Sequence, residues 1–203
     1  MQKAVAAWFL LIVSAASLAS PTEVVQLAVE QVVRLMQDSE RPAASEQRRF
    51  EIRLIANRLF DFTEMARRSL GRHWSDRTSQ QREEFVRLFS GLLERSYFSK
   101  IENYAGERFV YNGETVEGEF ATVRSKIIGG RKAEIPVDYR LHLAGSRWAV
   151  HDVLIDGISI VSNYRAQFNQ IIQTSSYDNL IQKMRLKELE TARGQGSRHR
   201  LEP

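Results

Sequence analysis

The side chains best suited to acid–base or metal chemistry in this sequence are the four histidines, His73, His142, His151 and His199. His151 precedes Asp152, but adjacent residues of a strand point to opposite faces, so the two are not expected to converge. His142 lies on the same strand face as Asp138, and a surface ion pair is the simpler interpretation. We expect a structural role for His73, beside a helix stop, whereas His199 lies in a polar tail. The histidines therefore predict no catalytic site.

Other reactive patterns are also missing from the sequence. It shows no metal-ligand spacing, phosphate-binding loop, nucleophile elbow or paired catalytic carboxylates. The absence of cysteine removes thiolate chemistry and disulfides. Asp156 precedes Gly157 and indicates a turn rather than a catalytic acid. We therefore predict no enzymatic activity, no catalytic residues, no cofactor and no metal.

The N-terminus has the pattern of a secretory signal peptide. Lys3 precedes an apolar run at residues 4–13, and Ser17 and Ala19 are small residues at a cleavage site. A membrane anchor is the alternative, but this run is too short to span a bilayer. We expect a cleaved signal at residues 1–19, export and a soluble mature protein.

The elements that must position any site begin with helices. An apolar stripe predicts a first helix, and a second is predicted at about residues 45–59, after Pro42. The two stripes consist of Val24, Val25, Leu27, Ala28, Val32, Leu35 and Met36, and of Phe50, Leu54, Ile55 and Leu59.

Two capping-box spacings introduce the next helices. Asp61 with Glu64 begins a short helix that Gly71 ends, and Thr78 with Gln81 begins the longest helix. Gly106 is expected to terminate the long helix. Its apolar stripe consists of Phe85, Leu88, Phe89, Leu92, Leu93, Ile101 and Tyr104.

The period then changes to two, which predicts an antiparallel sheet. Apolar side chains alternate with mostly polar ones over residues 132–143, so this strand has one dry face and one wet face. Strands at 120–128 and 147–155 flank it, joined through Gly129-Gly130 and residues 144–146. A strand at 109–116 is also expected, although Asn112-Gly113 has the composition of a turn. The dry face consists of Ala133, Ile135, Val137, Tyr139, Leu141 and Leu143, and the wet face of Lys132, Glu134, Pro136, Asp138, Arg140 and His142.

Two helices follow the sheet. One is predicted from Ile158, after a sharp turn at Asp156-Gly157, and the last spans about residues 177–191. The order of helices, antiparallel strands and helices predicts an α+β fold. We expect one domain at residues 20–192 and a disordered basic tail at 193–203.

Four segments in this order resemble the MlaC family of periplasmic phospholipid carriers, also called toluene-tolerance auxiliary proteins. The resemblance covers about residues 24–190, and the basic tail departs from it. The segments are "FDFTEMARRSLGRHW", "REEFVRLFSGLLERSY", "IPVDYRL" and "VHDVLIDGISIVSNYRAQFNQII".

The resemblance implies a twisted antiparallel sheet of about four strands wrapped by helices, cone-shaped like nuclear transport factors, with an apolar cavity for a glycerophospholipid. It also implies two partners, an inner-membrane ABC transporter with its substrate-binding hexamer and an outer-membrane lipoprotein–porin complex, which together maintain outer-membrane lipid asymmetry. We assign the lipid pocket, as a hypothesis, to Phe62, Met65, Leu70, Phe85, Leu88, Phe89, Leu92, Tyr97, Tyr104, Val123, Ile127, Val137, Tyr139, Leu141, Val150, Val153, Ile155, Ile158, Val161, Tyr164 and Phe168.

Two alternatives remain open from the sequence. Cone-shaped folds of this type also host small secreted enzymes such as isomerases and dehydratases, which need acid–base groups that converge in the pocket. A periplasmic protein-binding module would instead have a solid core. Under the carrier hypothesis, the stripe of the longest helix around Phe85 and Phe89 and the dry strand face are expected to face each other across acyl chains instead of packing tightly.

Overall fold

The computed structural model describes residues 19–38, 46–129 and 132–198. It forms one open, five-stranded antiparallel sheet in which the strands follow chain order, with helices packed against it. The elements are α1 Pro21–Gln37, α2 Glu46–Leu59, α3 Phe62–Leu70, a 3₁₀ helix Gly71–Trp74, α4 Ser79–Glu102, β1 Arg108–Glu117, β2 Phe120–Gly129, β3 Lys132–Ala144, β4 Arg147–Ile155, β5 Ile158–Ser159, α5 Ile160–Thr174 and α6 Tyr177–Arg198. The predicted α+β class is confirmed.

The predicted helix starts are formed by side-chain caps. The Thr78 hydroxyl accepts from the Gln81 N–H at 3.2 Å, and the Gln81 amide oxygen accepts from the Thr78 N–H at 3.0 Å. Asp61 caps α3 by accepting from the Glu64 N–H at 2.9 Å. These contacts satisfy backbone donors that the first helical turn leaves without partners.

Of the two dipeptides with the composition of a turn, Asp156-Gly157 forms one and Asn112-Gly113 does not. Asp156 and Gly157 both have positive φ, at 52° and 76°, and make the predicted sharp turn. The helix expected from Ile158 begins only at Ile160, because residues 158 and 159 first pair with β4 as the short strand β5. Asn112-Gly113 is not a turn but a bulge inside β1.

The alternation over β3 is confirmed. Val137, Tyr139 and Leu141 are buried on the helix-covered face, whereas Arg140 is exposed on the other face. Lys132 and Ala133 also lie on β3. Of the turn predicted at Gly129-Gly130, the second glycine lies outside the described residues.

Several predicted stripe residues are exposed instead of buried. In α2 the buried positions are Arg48, Ile52 and Leu59, and the Arg48 guanidinium donates to the Asp38 carbonyl at 2.9 Å. A charged residue therefore takes an inward position on this helix. The exposed stripe residues are Leu27, Phe50 and Leu54.

The chain ends differ from expectation in one respect. Helix α6 continues to Arg198, so residues 193–198 of the expected tail are helical, while residues 199–203 lie outside the described part. Residues 1–18 of the signal predicted at residues 1–19 also lie outside it. Among the helices of the described ranges, none is both long and apolar enough to cross a membrane.

Candidate functional site

Four aromatic rings on α4 and α5 form the centre of the apolar interior. Phe85 and Phe89 are fully buried, and Phe168 is nearly so. The Phe168 ring lies edge-on to both, with centroids 5.6 and 5.9 Å away, and Tyr164 lies edge-on to Phe89 at 5.5 Å. We call Phe85, Phe89, Tyr164 and Phe168 the aromatic layer. Edge-to-face contacts are favourable for aromatic rings, and the Tyr164 hydroxyl also lies 3.3 Å from the Ser96 hydroxyl of α4.

The dry face of β3 belongs to the same interior. Val137, Tyr139 and Leu141 share one buried cluster with the aromatic layer, and burial raises the pKa of the Tyr139 hydroxyl. The backbones of α1, α2, α3 and α5 approach the sheet closely, whereas α4 packs mainly against α3 and α6. Phe85 and Phe89 therefore contribute to this interior from a helix that the sheet does not hold directly.

Nearly all the predicted pocket residues lie in this interior. Apart from Tyr104 and Ile158, every one belongs to the buried cluster or packs against it. Ile158 is 65% exposed, and Tyr104 is half-buried beyond the end of α4. The expected gap between the α4 stripe and the β3 face is not present among these side chains, which form one packed cluster. Acyl chains would have to separate them.

The opposite face of β4 contains a polar group that the sequence argument excluded. Asp152 is paired with Arg140 and Val150 with Leu141, so His151 is the extra residue of a β-bulge. His151 consequently lies on the outer side together with Asp152. Its ring is 5.6 Å from that of His142. The prediction that His151 and Asp152 point apart is wrong, because it assumed uninterrupted alternation.

Asp152 holds the start of α5 against the sheet. Its Oδ2 accepts from the Ser159 hydroxyl at 2.6 Å, and its Oδ1 accepts from the Val161 N–H at 3.1 Å. Oδ2 also lies 3.6 Å from the Arg140 guanidinium. Both oxygens of this buried carboxylate are therefore occupied by structural contacts.

Asp61 makes a similar connection for α3. Besides capping the helix through Oδ1, it lies 3.1 Å from His142 Nε2 through Oδ2, and its N–H donates to the Val150 carbonyl at 2.9 Å. The partner of His142 is thus Asp61 and not Asp138. We call Asp61, His142, His151 and Asp152 the polar junction.

His151 is the least satisfied member of the junction. Only 5% of it is exposed, and its Nδ1 has no hydrogen-bond partner among the described residues. The pKa of His151 is lowered to about 4, chiefly by burial and also by Arg68 and His142, whereas Asp152 and Glu64 oppose the shift. The pKa of Glu64 is itself about 2, chiefly because Arg67 donates to it. The His151 imidazole is therefore neutral and enclosed, and the carboxylates of Asp61 and Asp152 are occupied by other contacts. These properties are typical of a structural role.

The described residues contain no group of three or more His, Asp or Glu side chains arranged to hold a metal ion. Two surface clefts are more open. One of about 430 Å³ lies between α1 and β1. The other, of about 510 Å³, lies between the 3₁₀ helix and α5. Sequence reasoning missed this second cleft, although Ser162, Arg165, Asn169 and Gln173 recur at helical spacing on α5.

Known proteins share both the fold and the sequence pattern. A solved structure titled as the phospholipid-binding protein from Ralstonia solanacearum in complex with a phospholipid is similar, with a TM-score of 0.77 and 23% identity. The similarity covers 86% of this chain and 99% of that one. At this identity the likeness establishes the fold.

Two curated relatives are also similar. The toluene tolerance protein ttg2D of Pseudomonas putida is 28% identical over 102 residues, 50% of this chain and 47% of the relative. The intermembrane phospholipid transport system binding protein MlaC of Haemophilus influenzae is 26% identical over 120 residues, 57% of this chain and 56% of the relative. The aligned part thus spans about half the length of each.

The family model described as MlaC protein matches residues 26–186. This range contains the whole sheet, the aromatic layer and the polar junction. The chain belongs to the MlaC family.

Proposed function

We propose that this protein is a non-enzymatic carrier of glycerophospholipids. The observation that carries the proposal is the family match over residues 26–186, which includes both walls of the apolar interior. The phospholipid complex of the similar Ralstonia protein supports the same ligand class. Acyl chains would contact the predicted pocket residues other than Tyr104 and Ile158.

The packing of the interior suits reversible lipid entry. The aromatic layer is held mainly by apolar contacts, so inserted methylene groups replace one set of apolar contacts by another. The hydrogen bond between the Tyr164 and Ser96 hydroxyls, at 3.3 Å, is the polar contact that separating α4 from α5 would break. Roughly thirty methylenes in two acyl chains, at about 0.8 kcal/mol each, would be very unfavourable in water. Release into water is therefore too costly, and transfer requires direct contact with a membrane or membrane complex.

The cellular role follows from the same proposal. The carrier would be exported by a cleaved signal at residues 1–19 and would work in the periplasm. It would move lipid between the outer-membrane lipoprotein–porin complex and the inner-membrane ABC transporter with its substrate-binding hexamer. This exchange would maintain the lipid asymmetry of the outer membrane.

The junction gives no specific support to a secreted enzyme. Asp61 and Asp152 each use both carboxylate oxygens for caps and interelement contacts, so neither is available as a general base.

The test is mass spectrometry of lipid extracted from protein purified from a bacterial periplasm. We expect bound glycerophospholipid in wild type and less in Leu92→Trp, which adds bulk at a half-buried position beside the core. Leu186→Trp, at a 58% exposed position on α6, is the matched control and should retain wild-type lipid. Wild-type protein that is folded and free of phospholipid, and that takes none from vesicles, would contradict the proposal.

A further inference from the structure

The cleft between the 3₁₀ helix and α5 has an apolar floor and a cationic rim. Its floor includes Leu70, which is 2% exposed and also belongs to the buried core. The rim carries Arg72, His73 and Arg165. The cleft therefore adjoins the interior through one side chain that is common to both.

The rim differs from most arginine-rich surfaces of this protein in having no acidic partner. Arg53 pairs with Glu94 and Arg67 with Glu64, as is common on its helices. Among the described residues, no Asp or Glu lines the cleft. In the described part of the chain, Arg72 and Arg165 make their side-chain hydrogen bonds to neutral oxygens. Two permanent positive charges thus face the same space without a carboxylate to neutralise them.

The neutral contacts leave donors directed at this space. Asn169 Oδ1 lies 3.2 Å from Arg72 Nη2 and 3.0 Å from His73 Nε2. Arginine can only donate, so the amide presents its oxygen to these residues and keeps its NH₂ group for another acceptor.

Arg165 is held in place by contacts of its Nε and of its aliphatic side-chain carbons. Its Nε donates to the Arg68 carbonyl at 2.6 Å, and its aliphatic carbons lie across Gly71, where an added Cβ would be 3.5 Å from Arg165 Cδ. Gly71 has φ of +58°. These contacts fix the position of the guanidinium. Its two terminal nitrogens make no hydrogen bond to the described residues.

We propose that this cleft binds the phosphate ester of the lipid headgroup. The inference rests on the proposed carrier function. Guanidinium groups form strong charge-assisted hydrogen bonds with phosphate oxygens, and the Asn169 amide supplies a further donor. Because Leu70 connects the cleft to the buried core, a phosphate held here lets the acyl chains enter between the helices and the sheet.

The test compares two lipids with identical acyl chains. Delipidated protein is mixed with detergent micelles that contain equal amounts of dioleoylphosphatidylglycerol and dioleoylglycerol, and the bound ratio is measured by mass spectrometry. Wild type should favour the phosphate-bearing lipid. Arg72→Gln/Arg165→Gln should lower the ratio by about tenfold, which corresponds to about 1.4 kcal/mol. Arg58→Gln/Arg147→Gln is the control, since it removes the same charge and Arg147 also donates to a carbonyl.

A second variant leaves Arg165 and its contacts in place. Ala166→Glu places a carboxylate in the cleft at an exposed helical position and should also lower the ratio, whereas Gln170→Glu, outside the lining, should not. An unchanged ratio in folded Ala166→Glu and in the double variant would overturn the headgroup site and leave the carrier function intact.

Two further outcomes are decisive. If wild type binds neither lipid, the carrier function fails and the headgroup site fails with it. Titration calorimetry with glycerol 3-phosphate tests the other source of a phosphate ester. Binding of this acyl-free compound as tightly as the lipid would overturn the lipid assignment and make the cleft a site for free phosphate esters.

Discussion

The aromatic layer and the polar junction connect helices in two different ways. In the aromatic layer, rings of α4 and α5 meet through apolar contacts at centroid distances of 5.5–6.0 Å. At the polar junction, Asp61 and Asp152 connect α3 and α5 to the sheet through hydrogen bonds of 2.6–3.1 Å. The first connection is mainly apolar and contains one hydrogen bond, between the Tyr164 and Ser96 hydroxyls, whereas the second depends on several hydrogen bonds that are satisfied only in one geometry.

This difference indicates which part of the molecule can open for a ligand. Apolar contacts between rings can be exchanged for contacts with acyl chains at little net cost. Opening the junction would leave buried donors and carboxylates unpaired, which costs about 1–3 kcal/mol for each group and more for a charged one. A carrier with this structure should therefore separate α4 from the interior while α3 and α5 stay attached to the sheet.

The largest expected effect is on the aromatic layer. Phe89→Ala removes a fully buried ring and should lower the free energy of unfolding of lipid-free protein by about 3–5 kcal/mol. Bound phospholipid should recover part of this loss, since acyl chains can fill the space. Denaturant unfolding with and without lipid measures both. Phe50→Ala, at a 54% exposed position, should have little effect. An equal loss with and without lipid would argue against acyl chains at this position.

The junction should respond differently. Asp152→Ala leaves the Val161 N–H and the Ser159 hydroxyl without their acceptor and should lower the free energy of unfolding by about 2–4 kcal/mol. Phospholipid should not restore this loss, because acyl chains supply no acceptor. Asp138→Ala, on the same face of the sheet, is the control and should stay within about 0.5 kcal/mol of wild type. Recovery by lipid would remove the distinction between the two regions.

A smaller, pH-dependent effect is expected at His151. Its pKa is about 4 in the folded protein and about 6.5 when unfolded, so protonation favours the unfolded chain. Its contribution is complete above pH 6.5 and is lost as the pH falls from 6.5 to 4, by up to about 3 kcal/mol. His151→Gln should flatten the stability profile in this window relative to wild type. Parallel profiles would show that the imidazole is not held neutral by burial.

Local sequence signals predicted the elements of the fold well. The capping residues Thr78 and Gln81, the alternation through Val137 to Leu141 and the Asp156-Gly157 turn are each determined by a few neighbouring residues, and the structure confirms them. The family resemblance, based on four ordered segments, is confirmed as well.

Features that depend on tertiary contacts were not predictable in this way. The bulge at His151 arises from the pairing of β4 with β3. Strict alternation along β4 alone places the His151 side chain on the wrong face of the sheet. Arg48 is buried, and its guanidinium donates to the carbonyl of Asp38, which precedes α2. The rim of the second cleft combines Arg72 and Arg165 from elements far apart in sequence, and their proximity appears only in the folded chain.

When lipid binds, α4 should move away from the sheet and α5 should stay in place. The chain has no cysteine, so two engineered cysteines give uniquely placed spin labels. One pair, Glu83→Cys and Arg124→Cys, measures the distance from α4 to the outer side of the sheet by electron–electron double resonance. The second pair, Asn163→Cys and Arg124→Cys, measures it from the start of α5. All three positions are exposed.

Phospholipid should lengthen the Glu83–Arg124 label distance by about 4 Å or more, the thickness of one inserted layer of carbon atoms. The Asn163–Arg124 distance should stay unchanged, because Asp152 holds the start of α5. A constant α4 distance in lipid-loaded protein, or an equal displacement of both helices, would contradict a selective movement of α4.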